Sequence, residues 1–270
     1  MQNKFDIIED FKNGMMIKNL SSKYGVSQYK INKMLIKEGL KNHRVKYKNN
    51  DTYFDNIDTH EKAYILGFLI ADGCVRLEKR RSGNYSKRIC FSNSIDDFEV
   101  IEYIHDKICP EVKLSTIHNT KGAINRKPQI TLQWTSNHMF DVLFNKYNIR
   151  PRKTYDLDFS FPFNEIPDVF HGSFILGFLD GDGSVGKNFI KFVSTSKSFL
   201  LQIENIFKSF FERNKDIIEP YSGRFYEEKN KMTYYKYYVN LGKGRMRFVK
   251  KFLYDNCPIY LKRKYNKFNV

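Results

Sequence analysis

The sequence has little of what staples, ligates or anchors a chain. Its four cysteines stand at 74, 90, 109 and 257, and no two of them share C-x₂-C or C-x₄-C spacing. That argues against a cysteine-rich zinc site and predicts buried or incidental thiols in a reducing compartment. The six histidines, at 43, 60, 105, 118, 138 and 171, form no H-x₃-H pair. No run of about 18 apolar residues is present, which excludes a membrane-spanning helix. The opening MQNKFDIIEDFKNG lacks the apolar stretch of a signal peptide, so the protein is expected to stay where it is made. Abundant Lys, Asn, Ile, Phe and Tyr point to an AT-rich genome. The expected setting is therefore the cytoplasm of a bacterium or phage-infected cell, or an organelle.

Acidic residues are also in deficit. Among 270 residues, 46 Lys and Arg face 30 Asp and Glu, a formal charge of +16. A folded chain this basic usually meets a polyanion, although a solvated basic surface gives the same count. Hydrophobic residues at 41% and charged residues at 28% supply a packed core and exclude general disorder. The 18 Tyr and 24 Phe can serve that core or stack on bases, and composition does not decide which.

Residues 1–45 read as short helices. Phe5, Ile8 and Phe11 give helical spacing up to Gly14. Ile17 and Leu20 mark a second helix ending near Tyr24, Gly25-Val26 make a tight turn, and Ser27 is suited to cap a third. That third helix buries Ile31 and Leu35 and stops at Gly39. The pattern resembles a helix-turn-helix whose second helix offers Gln28, Tyr29, Lys30, Asn32 and Lys33 to a major groove. A small packing bundle or a protein-interaction module would show the same apolar positions. Residues 1–50 carry 11 basic and 4 acidic side chains. Residues 46–57, polar and basic, read as a linker.

The remainder repeats itself. AYILGFLIADGCV at 63–75 matches SFILGFLDGDGSV at 173–185, and Asp72 and Asp182 are 110 residues apart. FSNSIDDF at 91–98 matches FVSTSKSF at 192–199. YNIRPRKTY closes the first copy and CPIYLKRKY the second, so Lys153 follows Asp72 by 81 residues and Lys264 follows Asp182 by 82. Two copies of one unit are expected, over 58–165 and 166–270. Each reads helix, strands, helix, strands, helix. Arg76–Phe91 is a hairpin turning at Ser82-Gly83-Asn84. Ile130, Leu132 and Trp134 alternate with Gln129, Thr131 and Gln133. Tyr234, Lys236, Tyr238 and Asn240 share one side of a later strand. Sheets with one apolar and one polar face carry helices on one side only, and two such sheets side by side leave a long basic surface shaped for a duplex.

The repeated helix is apolar all round and must be buried on all sides. Asp58, with Glu61 three residues on, fits a capping box at the start of its first copy. Gly67 and Ala71, and Gly177 and Gly181, put small residues on one stripe, which lets two helix backbones approach closely. Packing the two copies against each other at a pseudo-twofold axis brings Asp72 and Asp182 together. Two carboxylates at helix C-termini repel each other and oppose the helix dipole. A divalent cation would relieve both, and Mg²⁺ prefers such oxygen ligands and supports phosphodiester hydrolysis.

ILGFLIADG and ILGFLDGDG resemble the two motifs of a LAGLIDADG homing endonuclease in its single-chain, two-repeat form, over roughly residues 58–268. The resemblance implies an α+β fold of two pseudo-symmetric αββαββα repeats, with the motif helices at their interface and the sheets forming a DNA-binding saddle. It implies that Asp72 and Asp182, with the Ala71 and Gly181 carbonyls, bind Mg²⁺ or another divalent cation. It implies further that Lys153 and Lys264 stand near the scissile phosphates. The motif's earlier acidic position holds Asp180 in the second copy and Ile70 in the first, a departure from the family pattern.

The implied activity is site-specific, double-strand cleavage of DNA by a monomer, at a long asymmetric target and in the service of gene or intron mobility. Candidate DNA contacts in the first repeat are Arg76, Lys79, Arg81, Lys87, Arg88, Gln129, Thr131 and Gln133. In the second they are Lys191, Arg224, Lys236 and Tyr238. The competing reading is a cleavage-deficient DNA-binding regulator or intron-splicing maturase on the same fold. The helix-turn-helix favours it, and the intact Asp and Lys pairs oppose it.

Overall fold

A computed structural model describes residues 2–40, 47–81, 83–117, 127–230, 232–242 and 244–268. The chain divides into two units, Met1–Tyr47 and Lys48–Val270, each with its own core.

In the first unit, helices α1 (Gln2–Lys12), α2 (Ile17–Tyr24) and α3 (Gln28–Lys37) close around Ile7, Leu20, Ile31 and Leu35. Gly25, at a φ of 65°, ends α2 in the left-handed region that glycine enters without steric penalty. The Ser27 side chain then accepts the Lys30 amide to start α3. Phe5, expected on the buried face, is 73% exposed, and Ile7 takes the inward position instead. The buried stripe of α1 runs through Ile7 and Phe11, four residues apart, rather than through Phe5.

The expected linker at 46–57 is not one over its described part. Lys46 lies outside the described residues. Beyond it, Tyr53, Phe54 and Ile57 are buried in the core of the second unit. The Phe54 carbonyl accepts the Tyr147 hydroxyl at 3.0 Å, and the Asp55 carbonyl accepts Lys146 Nζ at 2.7 Å. Three apolar side chains among polar neighbours suffice to pin this strap to the first repeat.

The second unit holds the two repeats. The first runs α4 (His60–Ala71), β1 (Gly73–Lys79), β2 (Tyr85–Ser94), α5 (Phe98–Ile108), β3 (Ser115–Ile117), β4 (Gln129–Thr135) and α6 (Asn137–Asn145). The second runs α7 (His171–Asp182), β5 (Gly183–Gly186), β6 (Phe189–Ser194), α8 (Lys197–Arg213), β7 (Gly223–Asn230), β8 (Met232–Asn240) and α9 (Arg245–Tyr254), followed by the short α10 (Lys262–Tyr265). Both are αββαββα. Their antiparallel sheets have the matching orders β1-β2-β4-β3 and β5-β6-β8-β7. The β1–β2 hairpin turns through Arg80, Gly83 and Asn84; Ser82 of the expected turn lies outside the described residues.

Helices α4 and α7 form the centre. A Cβ at Gly67 would collide with the Phe174 carbonyl oxygen, and one at Gly177 with the Tyr64 carbonyl oxygen. Tyr64 and Phe174 are themselves repeat equivalents, so the contact is pseudo-twofold. The cap of α4 is Thr59, whose side chain accepts the Lys62 amide, and not Asp58, which pairs with Lys62 at 2.8 Å. Glu61 instead accepts the hydroxyls of Tyr53 and Tyr103 and pairs with Lys107. It ties the strap, α4 and α5 together.

The cysteines correct the expectation of four thiols. Cys74 and Cys90 face each other across β1–β2, with Cα atoms 5.3 Å apart, and are joined in a disulfide. Pairing across a ladder needs register, which spacing alone does not supply. Cys109 and Cys257 are buried free thiols, and burial pushes both up to about 12.

Gly177→Ala should lower stability by about 2 kcal/mol or more, since its methyl meets backbone rather than a yielding side chain; urea unfolding of the full chain reads this. Burial alone would raise Glu61, but donation from Tyr103, Tyr53 and Lys107 outweighs it and holds the carboxyl below its ordinary 4.5. Its stabilisation is therefore present above pH 4.5 and lost as pH falls through the lower folded value. Glu61→Gln should lower stability by about 1–2 kcal/mol at neutral pH, and the difference from the parent should shrink in melts below pH 4.

Candidate active site

Asp72 is the C-cap of α4 and Asp182 the last residue of α7. Strands β1 and β5 begin at the very next residues, Gly73 and Gly183. Each carboxylate is therefore held between a buried helix and a sheet, with no loop to loosen it. The glycine contact sets the helix separation, and at its carboxyl end the Ala71 methyl lies against Gly181. A Cβ on Gly181 would stand 3.2 Å from the Asp72 carboxyl carbon, so the Asp72 side chain reaches the partner helix. Burial, and then the charge of Asp72, push Asp182 up to about 6. Burial also raises Asp72, against the hydrogen bond from Asn93 and the charges of Lys264 and Lys153.

The two lysines come to the same place. Lys153 Nζ donates to the Gly73 carbonyl. Lys264 Nζ donates to the carbonyls of Leu179 (2.7 Å), Asp180 and Gly183 (2.8 Å). Gly73 and Gly183 are repeat equivalents, so each ammonium sits where its helix dipole is negative. Burial lowers both lysines to about 8, opposed by Asp182 and then Asp72 for Lys153, and by Asp180 and Asp72 for Lys264. Both ammoniums satisfy carbonyls and not carboxylates. Among the described residues, neither Asp72 nor Asp182 forms an ion pair. The Gly181 carbonyl is not among those that Lys264 takes. A cavity of about 200 Å³, lined by Asp182, Lys153, Ala71 and Tyr234, opens beside them.

Asn93 escaped the sequence reading, and Asp180 entered it only as the motif's earlier acidic position. Asn93 Nδ2 donates to Asp72 Oδ2 at 2.7 Å, and its Oδ1 is buried without a partner. Counting alternation back from buried Phe91 puts Asn93 on the inward face of β2, which is the signal that could have found it. Asp180 is fully buried and accepts the Tyr64 hydroxyl and the Leu261 amide, each at 2.8 Å. It anchors the segment that carries Lys264. Two carboxylates without ion pairs, one part-buried and one open to solvent at the ends of adjacent helices, beside an unpartnered amide oxygen, form a donor set that fits a hard divalent cation.

The outer sheet faces sort the remaining candidates by strand period. Arg76 pairs with Arg88, and Cys90 with Gln133, so Arg76, Arg88, Gln129, Thr131 and Gln133 share the face away from the helices. Lys79 and Lys87 fall on the opposite, helix-side face, where Lys87 pairs with Asp141 of α6; their expected place on the DNA face is corrected. Arg81 is exposed beside the hairpin turn. In the second sheet Lys191, Tyr238 and Arg224 stand in one row, and Lys236 in the next, paired with Glu228. The sequence reading missed Phe189 and Tyr226, which pack on Tyr238 with ring centroids 5.4 and 5.3 Å away. With Asn240 they line a groove of about 910 Å³. In the first unit, Gln28, Tyr29, Lys30 and Lys33 are exposed on α3, and Asn32 Nδ2 donates to the Gln28 carbonyl.

Residues 170–251 match the LAGLIDADG-like domain family. A comparison with curated protein sequences finds no match. Among solved structures, mesophilic variants of the homing endonuclease I-DmoI align with 13% identity and a TM-score of 0.52, over 77% of this chain and 96% of theirs. The homing endonuclease I-WcaI, bound to its DNA recognition sequence, aligns with 15% identity and a TM-score of 0.46, over 81% and 92%. The LAGLIDADG meganuclease I-AabMI, bound to uncleaved DNA, aligns with 14% identity and a TM-score of 0.43, over 76% and 86%. The second repeat thus carries a LAGLIDADG-like domain, and the I-DmoI variants share the fold of the paired repeats.

The carboxyl of Asp182 goes from an ordinary 3.8 to about 6 on folding. A raised folded value means that stability is lost as pH rises from about 4 through 6. In the presence of chelator, Asp182→Asn should therefore melt higher than the parent at pH 7.5, with the advantage vanishing near pH 4. Adding Mg²⁺ or Mn²⁺ should raise the parent's melting temperature and leave the variant's unchanged.

Proposed function

We propose that the chain is a site-specific, divalent-metal-dependent DNA endonuclease that cuts both strands of a long, asymmetric duplex. The observation that carries this reading is the pair of carboxylates without ion pairs at the ends of two backbone-packed helices, each half supplied with its own lysine on a carbonyl at the helix end. Both halves come from one chain, so a monomer completes the site. The match of the second repeat to the LAGLIDADG-like family and the fold shared with I-DmoI variants support it.

The duplex would lie along the outer sheet faces. Arg76, Arg88, Lys191 and Arg224 contact phosphates or guanines there. Gln129, Thr131 and Gln133 offer donor and acceptor pairs to base edges. The first unit, basic and with Gln28, Tyr29, Lys30 and Lys33 exposed on α3, adds affinity rather than chemistry. A divalent cation held by Asp72 and Asp182, with the Ala71 and Gly181 carbonyls as further oxygen donors, would supply Lewis-acid stabilisation of the reacting phosphate. The protein's own part is to fix those carboxylates on rigid elements and to place one ammonium in each half. Negative charge builds on the phosphorane and the leaving oxygen. A preorganised ammonium stabilises that charge more than it stabilises the ground state.

The test uses a duplex that the protein selects from a randomised library. The parent should cut both strands with Mg²⁺ and neither strand with chelator. Asp72→Asn and Asp182→Asn should abolish double-strand cutting and leave affinity near normal, because binding comes from the distributed basic surface. Lys153→Met and Lys264→Met should each slow single-turnover cutting by about tenfold to a thousandfold, with nicked product accumulating. Tight, selective binding without cutting by the parent would overturn the endonuclease reading in favour of a regulator or maturase.

A further inference from the structure

Lys264 lies on α10, a helix of four residues. A helix so short does not hold itself, since its nucleus costs more than its few hydrogen bonds return. Its place is set from outside, by both repeats at once. From the second repeat, Asp180 accepts the Leu261 amide at 2.8 Å. From the first, Asp97, in the turn before α5, accepts both arms of Arg263, with Nε to Oδ1 at 2.8 Å and Nη2 to Oδ2 at 3.0 Å. Lys262 pairs with Glu99 at 2.7 Å.

Asp97 is 5% exposed. Burying a carboxylate is unfavourable, and even a well-made pair returns little net stability, so geometry is the use such a pair is best suited to. The bidentate fork fixes the plane and distance of the guanidinium more tightly than a lysine contact would. Arg263 immediately precedes Lys264, so fixing one backbone fixes the other.

Among the described residues the first half has no such ion-pair lock; there the second repeat supplies a single neutral hydrogen bond, from the Thr195 hydroxyl to the Thr154 carbonyl at 3.0 Å. The first half's equivalent of Arg263 is Arg152, at a φ of 61°, which forms no ion pair among the described residues. The equivalent of Asp97 in the second repeat is Ser198, by the match of 91–98 to 192–199. Lys153 holds the Gly73 carbonyl, where Lys264 holds three carbonyls.

We propose that Asp97 of the first repeat is a positioning residue for Lys264, acting through Arg263, and that the two halves of the site are therefore supported unequally. The catalytic part of this rests on the endonuclease reading; the lock itself does not.

Two measurements on the full chain test it. The first is acetylation of each lysine by an N-hydroxysuccinimide ester, read by peptide mass spectrometry on the metal-free protein. Asp97→Asn and Arg263→Gln should each raise the modification rate of Lys264 about fivefold or more, the double variant no further than either single, and Lys153 should stay at its parental rate. Asp97→Asn leaves only the half-exposed Arg263 guanidinium unpaired, so this variant folds even where Arg263→Gln, which strands a buried carboxylate, does not. Unchanged protection of Lys264, or equal gains at Lys153 and Lys264, would overturn the lock.

The second is strand-resolved single-turnover cutting of the selected duplex. Both variants should slow one strand by about tenfold, leave the other strand and the affinity unchanged, and accumulate nicked product. A shift in labelling without a change in the ratio of strand rates would overturn the positioning role. A parent that labels as expected but cuts nothing would overturn the endonuclease reading and leave the lock standing.

Discussion

The backbone contact between α4 and α7 is the constraint on which the rest of the second unit depends. At Gly67 and Gly177 each helix touches the other's carbonyl oxygen line, and nothing larger than hydrogen fits. Glycine inside a helix costs about 1 kcal/mol relative to alanine, and here that cost appears twice. It is offset by burial: every residue from Ala63 to Ile70, and from Gly172 to Asp180, is buried. Helices packed this closely bring their carboxyl ends together, and the strands begin one residue later. The spacing of the carboxylates, the sites of the lysines and the side-by-side sheets all follow from that one approach.

The electrostatics of the site make sense against this packing. Helix C-termini welcome cations and repel anions. The lysines occupy the welcoming position, with their ammoniums on helix-end carbonyls. The carboxylates occupy the repelling one, and burial disfavours their charge further. Were lysines paired directly with carboxylates, the charges would cancel and the site would be a structural network. Because the carbonyls absorb the ammoniums instead, the carboxylates keep their ligating capacity. The molecule holds a locally unfavourable arrangement, stabilised elsewhere by its aromatic core and by ties such as Glu61 with Tyr53 and Tyr103.

What could be read from the sequence was what the duplication repeats. Matched copies exposed Asp72 and Asp182, and the near-equal spacings exposed Lys153 and Lys264, because symmetry marks out residues that chemistry alone would not. Strand alternation placed Gln129, Thr131 and Gln133 correctly on one face. What could not be read depends on register or on contacts between distant segments. Lys79 and Lys87 counted as positive charge, but which face they occupy follows only from pairing with Tyr85 and Leu77. The Cys74–Cys90 bond needs the same register. Tyr53, Phe54 and Ile57 have no period to announce them, since a strap is buried by what it lies on. Asn93 is recognised only once Phe91 is known to face inward.

The duplication has diverged most in what surrounds the paired Asp and Lys residues, and least in those residues themselves. Asp, Gly and Lys recur in both halves. Asp180 has Ile70 as its counterpart, Asp97 has Ser198, and Asn93 has Ser194, so each half holds its carboxylate and its ammonium by different bonds. The outer faces have diverged as well. The first presents amides and hydroxyls at Gln129, Thr131 and Gln133, and the second a cluster of rings at Phe189, Tyr226 and Tyr238. A symmetric dimer could not vary its halves in this way, because each substitution would appear twice. Fusing the copies into one chain releases that restraint while the glycine contact keeps the two carboxylates in register. On the proposed reading, this is what an asymmetric duplex requires: two equivalent reactions, carried out on two strands whose surrounding base pairs are not equivalent.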